Sequence, residues 1–172
     1  MFGGTIGVQS QPGQGALFWL DLPLTAGHPL AHAAVEEEDF LQDVPLEILV
    51  VDDNAVNLQV AQLQLQKVWP RARITTAPSG AQALQLLDTQ RFDVALVDMV
   101  MPEMDGLQLT AQIRQRFPAL TAQMPVLALT ANTNPVEREQ CLAAGMDEVL
   151  HKPMDGDTLR RVVSRQIRKA RG

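Results

Sequence analysis

The chain has 172 residues, 46% of them apolar and 20% charged, with a formal net charge of −6. That length supports one buried core plus an appendage, and the apolar share excludes wholesale disorder. The acidic balance argues against nucleic acid as the main partner, because a phosphate backbone needs a basic face.

No apolar run approaches the ~20 residues that span a bilayer, and the N-terminus lacks the basic-then-apolar pattern of a signal peptide. The lone Cys141 excludes an internal disulfide framework and suits a reducing cytosol. It reads as a small core hydrophobe. A soluble, cytoplasmic chain with no direct membrane contact is the expectation.

In chain order, residues 1–24 come first, MFGGTIGVQSQPGQGALFWLDLPL. Thr5–Val8 and Leu17–Leu24 read as two strands around the turn-forming SQPGQG. An isolated two-stranded hairpin is marginally stable at best, so this piece reads as the end of something larger. It resembles the last strands of the ATP-binding domain of sensor histidine kinases. Gly13, Gly15 and Phe18 match that family's Gly-x-Gly turn and the Phe of the following strand, while Ala16 replaces the usual hydroxyl residue. Nothing else in the chain corresponds to the remaining kinase motifs, so neither ATP binding nor kinase activity is expected of it.

Residues 25–45 are rich in small residues and carry two prolines and the acid run Glu36–Asp39, which marks a linker. His28 and His32 are spaced for one helical face, but Pro29 and the lack of nearby carboxylate or thiol partners make them solvated linker histidines.

From residue 46 the pattern becomes regular. The apolar run 46–51 reads as a buried strand ending in Asp52-Asp53-Asn54. A helix follows over about 55–67, with Val56, Val60 and Leu63 as its stripe. Next come a strand over 73–77, a helix over 79–87 and a third strand, 94–97, that drives into Asp98 and a loop closed by Pro102 and Asp105-Gly106. The spacing then gives a helix over 107–116, a strand over 125–129 ending at Thr130, and a helix over 135–143 stopped by Gly145. A brief strand, 148–150, reaches His151-Lys152-Pro153, and a basic helix runs over 156–169. The arginines of that last helix read as a solvated face that complements the helix dipole.

Strands alternating with helices imply an α/β fold: a doubly wound, five-stranded parallel sheet with right-handed crossovers. Its common strand order, 2-1-3-4-5, puts the first and third strands side by side at the switch point. Adjacent strands lie ~5 Å apart, so Asp52, Asp53 and Asp98 converge at one sheet edge. Carboxylates packed so closely repel one another unless a cation binds. An oxygen-only set without His or Cys selects a hard ion, Mg²⁺ in particular. Thr130 and Lys152 close neighbouring strands and add a hydroxyl donor and an ammonium. Each feature alone has a plainer reading, as a helix cap, a strand-end hydroxyl or a surface lysine. Together they compose a phosphoryl site in which Asp98 is the nucleophile and Thr130 and Lys152 face the transferring oxygens.

The motifs VVDDN (50–54), LVDMVMPEMDG (96–106), ALTAN (128–132) and HKP (151–153) closely resemble the receiver domain of two-component response regulators over about 46–168. The resemblance implies the flavodoxin-like receiver fold and an Asp98 that accepts a phosphoryl group from phosphohistidine. It further implies Mg²⁺ held by Asp53, Asp98 and the Val100 backbone carbonyl, with Asp52 acting through water, and a cis Lys152-Pro153 bond. Its partners would be a histidine kinase's phosphohistidine domain and a histidine-phosphotransfer protein. One position departs from the pattern. Many receivers carry a switching Tyr or Phe three residues before the lysine, where this chain has Val149, which suits a relay more than a surface switch.

Kinase tail (1–24), linker (25–45) and receiver (46–168) occur in this order in hybrid sensor histidine kinases. The chain is therefore expected to be the C-terminal part of one, or a gene fragment of one. Two alternatives stand beside this: a pseudo-receiver that only docks proteins, and a phosphatase of the haloacid-dehalogenase type. The latter needs a second acid two residues after the nucleophile, where Val100 stands.

Overall fold

A computed structural model describes the strands at 5–11 and 15–21 by their backbone, then residue 41 and residues 43–172 apart from 122 and 133. The linker histidines and Gly13 lie outside the described residues. The chain divides into two compact units, Met1–Ala34 and Val35–Gly172.

In the first unit β1 (Thr5–Gln11) and β2 (Gly15–Asp21) form an antiparallel hairpin, registered from Thr5 opposite Asp21 to Gln11 opposite Gly15. Pairing runs to Gln11 and Gly15, into both ends of the stretch SQPGQG that the sequence assigns to the loop.

The second unit runs β3 (Glu47–Val51), α1 (Ala55–Val68), β4 (Arg73–Ala77), α2 (Gly80–Thr89), β5 (Val94–Asp98), α3 (Gly106–Arg116), a short turn α4 (Pro118–Thr121), β6 (Val126–Thr130), α5 (Pro135–Ala143), β7 (Glu148–His151) and α6 (Gly156–Arg171). The five strands are parallel in the order β4-β3-β5-β6-β7, the expected 2-1-3-4-5. The α4 turn has no counterpart in the sequence reading, since four residues are too few to show a period.

The apolar strands divide their side chains between two cores, as the two-residue period of a strand requires. Ile48, Val50, Val94, Leu96, Leu127 and Leu129 face α1 and α6. Leu49, Val51, Ala95, Val97, Val126 and Ala128 face α2, α3 and α5, where Cys141 is fully buried as expected. Among the described residues no helix is long and apolar enough to cross a membrane.

The stripe assigned to α1 needs correction. The helix buries Leu58, Ala61, Leu65 and Val68, while Val56, Val60 and Leu63 are 65%, 47% and 66% exposed. Two apolar stripes at helical spacing compete on this helix. The one that packs contains two leucines and a valine, with Ala61 small enough for close approach to the sheet.

Candidate functional site

The carboxyl ends of β3 and β5 carry Asp52 and Asp98, and register places the ends of these strands side by side, Val51 opposite Val97. Asp52 is 2% and Asp98 7% exposed, while Asp53 faces solvent. Each of the three offers a carboxylate oxygen, and these oxygens lie within 4.8 Å of one another. Like charges this close are unfavourable without a counter-charge. Lys152 supplies one: its Nζ donates to Asp98 Oδ1 at 2.8 Å and to Asp52 Oδ2 at 3.0 Å.

The surrounding backbone fixes each of these groups. Asp52 Oδ1 accepts from the Asn54 N–H at 2.9 Å and from Asn57 Nδ2 at 3.3 Å, so one carboxylate is tied to the start of α1. Asn54 caps that helix through the N–H groups of Val56 and Asn57. The loop after β5 turns sharply, with Glu103 at φ +64°, and Asp105 and Gln108 form a reciprocal capping box on α3. Gly106 is needed where it stands, because a Cβ there would sit 2.7 Å from the Asp98 carbonyl oxygen. Val100 occupies the same loop, 81% exposed. Lys152 is held by its own N–H, which donates to the Thr130 carbonyl at 2.8 Å, and is followed by a cis Lys152-Pro153 peptide.

Burial is the largest influence on Asp98 and raises its pKa. Lys152 pulls it down by hydrogen bond and charge, Asp52 and Asp53 push it up, and the net direction is upward. For Lys152, burial alone favours loss of the proton, but the bonds and charges of Asp98 and Asp52 outweigh it and raise its pKa. The two shifts have one origin, a carboxylate-rich pocket partly closed to water.

Sequence position thus brings Asp52, Asp53, Asp98 and Lys152 into one group. Thr130 lies at the adjacent strand end, 5% exposed, but its hydroxyl turns elsewhere: it donates within 2.8 Å of Glu137 Oε1 and of the Asn132 carbonyl. Two partners escaped the sequence reading. Asn57 is visible only once α1 is known to start at Ala55, and Glu137 only once the loop after β6 is folded. A cleft of about 290 Å³ opens beside the cluster, lined by Asp52, Asn57, Val60, Lys152 and Met154 among others.

An oxygen-only trio around one ammonium has the chemistry of a hard-cation site. The comparisons with known proteins bear on what such a site belongs to. The family model described as the response regulator receiver domain matches residues 48–164. The chain belongs to the response regulator receiver family. Sensor histidine kinase AruS of Pseudomonas aeruginosa is 38% identical over 161 residues, 94% of this chain and 16% of its own length. Sensor histidine kinase RcsC of Escherichia coli is 35% identical over 146 residues, 83% of this chain and 14% of its own. The chain therefore spans a small fraction of these relatives, and its receiver is homologous to those of hybrid sensor histidine kinases.

Among solved structures, the receiver domain of the P. aeruginosa sensor histidine kinase PA1611 is 37% identical with a TM-score of 0.64, matching 72% of this chain and 98% of that one. That receiver was crystallised with a magnesium ion coordinated in its active-site cleft. The chemotaxis protein CheY4 of Vibrio cholerae is 30% identical with a TM-score of 0.65, matching 71% of this chain and 98% of that one.

Proposed function

We propose that this receiver accepts a phosphoryl group on Asp98 and relays it within a hybrid-kinase phosphorelay. One observation carries the reading: a nearly buried carboxylate at a strand end, 2.8 Å from an ammonium and grouped with two further carboxylates. In the transfer an Asp98 oxygen attacks phosphorus, and the P–N bond of phosphohistidine breaks. The departing imidazole nitrogen keeps the bonding pair, and the product is an acyl phosphate. Lys152 would neutralise charge on the phosphoryl oxygens, and Thr130, once its hydroxyl turns from Glu137, would donate to one of them. Asp53, Asp98 and the Val100 carbonyl would hold Mg²⁺, with Asp52 reaching it through water. Bound there, the ion would offset the negative charge gathered in transfer.

The N-terminal hairpin and residues 25–45 are read as the tail of a kinase ATP-binding domain and a linker to the receiver at 46–168. Support comes from the AruS similarity, which extends over 94% of this chain and thus well upstream of the receiver. A cytoplasmic kinase histidine would be the donor and a histidine-phosphotransfer protein the acceptor. The exposed stripe Val56, Val60 and Leu63 supports docking of such partners, because Val60 also lines the cleft that Lys152 and Asp52 border. Val149, half-buried against the α2/α3/α5 core, supports a relay without a switching aromatic.

Incubation with acetyl phosphate and Mg²⁺ tests the site. Intact-mass measurement should show one added phosphoryl group, acid-stable and base-labile, and none on Asp98→Asn. Equal labelling of both proteins would sink the assignment, and absence of Mg²⁺ binding by titration would favour a docking-only pseudo-receiver.

A further inference from the structure

Thr130 carries the one hydroxyl assigned to the phosphoryl oxygens, yet no hydrogen bond of that hydroxyl goes to Asp98 or Lys152. Its Oγ1 lies 2.8 Å from Glu137 Oε1 and 2.8 Å from the Asn132 carbonyl, and it accepts from the Asn132 N–H at 3.1 Å. A hydroxyl has a single proton and a carboxylate is acceptor-only. With two acceptors equally near, the ionised one forms the stronger bond. The proton of Thr130 is therefore committed to the first turn of α5, away from the pocket. Glu137 is fixed in this role by its helix: its own N–H is capped by Asn134 Oδ1 at 2.7 Å, and Pro135 starts the turn.

We propose that Glu137 is a positioning residue for the phosphoryl reaction, a latch that holds the Thr130 hydroxyl out of the site until a phosphoryl oxygen competes for it. The proposal rests on the reading of Asp98 as phosphoacceptor. Loading of Asp98 then exchanges one hydrogen bond for another: Thr130 leaves Glu137 and donates to the phosphoryl group. Glu137 thereby weakens retention of the phosphoryl group and frees its own carboxylate when the site is loaded. The residue lies outside the metal and nucleophile set, so its removal leaves that set intact.

The test is a double-mutant cycle read by calorimetric titration of the full chain with beryllofluoride in the presence of Mg²⁺. Glu137→Ala should bind beryllofluoride roughly 5-fold more tightly than the parent, the scale of one net hydrogen bond, and should hydrolyse its acyl phosphate more slowly. Glu137→Gln keeps a weaker, neutral acceptor and should show a smaller gain. In a Thr130→Ala background the Glu137→Ala gain should vanish. A gain that persists without the hydroxyl would mean that Glu137 acts only through its charge on the anion, and would overturn the latch. Equal affinity of Glu137→Ala and the parent would overturn it as well. A parent chain that fails to bind beryllofluoride would overturn the phosphoacceptor reading itself, an outcome distinct from normal binding with an additive cycle. Melting temperatures of the variants separate these effects from loss of fold, with Glu137→Gln serving if Glu137→Ala is unstable.

Discussion

A nucleophilic carboxylate must be ionised to attack, and Asp98 sits where burial resists ionisation. Its folded pKa is raised, first by burial and then by the charges of Asp52 and Asp53, against the pull of Lys152. The sign for stability follows. The fold favours the protonated acid, so the contribution of Asp98 is fully present below its unfolded pKa of about 3.9. It is lost as pH rises through the higher folded value. At neutral pH the ionised group therefore burdens the fold. Asp98→Asn should raise the melting temperature by a few degrees at pH 7 in a Mg²⁺-free, chelated buffer. Added Mg²⁺ should stabilise the parent more than the variant, because binding to the folded state shifts the equilibrium. Scanning calorimetry of both proteins with and without Mg²⁺ checks this, and a lower melting temperature for Asp98→Asn would contradict it. The residues of the cluster were legible in the sequence because each ends an apolar strand run. Glu137 and Asn57 were not, because their bonds depend on how a loop and a helix start are folded rather than on any period.

At the scale of elements, strands were more legible than helix faces. A parallel strand buried on both sides is apolar throughout, so 46–51, 94–97 and 125–129 announce themselves. α1 does not, because it carries apolar side chains on two stripes and periodicity alone cannot choose between them. The stripe left outside is the informative one. Val56, Val60 and Leu63 are largely exposed and gain little from burial in the described fold, so charged replacements there should cost little stability, within about 0.5 kcal/mol. If this stripe seats a phosphohistidine partner, Val60→Glu and Leu63→Glu should slow transfer from a phosphorylated histidine-phosphotransfer domain by at least tenfold. The rate with acetyl phosphate, which needs no docking, should stay near that of the parent. Parallel assays with the two donors make the comparison. Equal slowing with both would place the effect in the pocket, and no slowing with either would free the stripe of this role. The α3 start offers a contrast: its Asp105–Gln108 capping box is purely local and is written in the sequence as Asp-x-x-Gln. Asp105→Ala should cost about 1 kcal/mol.

At the scale of the whole molecule the sheet has the common doubly wound order, because strand–helix alternation with right-handed crossovers leaves few ways to lay out five parallel strands and this one is the usual choice. The edge of the second unit is subtler. Residues 25–45 have linker composition, and the acid run and prolines argue for solvation. Yet Leu41 is only 4% exposed and belongs to the same core as Trp69, Leu159 and Ile167, with Val44 packed against it. A single apolar residue has no period, so no sequence pattern could distinguish an anchored leucine from a linker leucine. Its burial has a consequence for where the receiver can be cut. Removing a core leucine costs its transfer free energy plus that of the cavity left behind, about 2–5 kcal/mol for Leu→Ala in a well-packed interior. Leu41 sits at the margin of the described core of the second unit, so the low end applies. Leu41→Ala should lower the urea midpoint by the equivalent of about 2 kcal/mol, and a chain started at residue 46 should lose at least as much relative to one started at residue 40. Both effects should leave the acetyl phosphate reaction of Asp98 unchanged under native conditions, because Leu41 packs on the α1/α6 side of the sheet and makes no bond to the cluster. Equal urea midpoints for the two truncations would show that the leucine is not an anchor. The boundary of the folded receiver would then return to Leu46, where composition alone puts it.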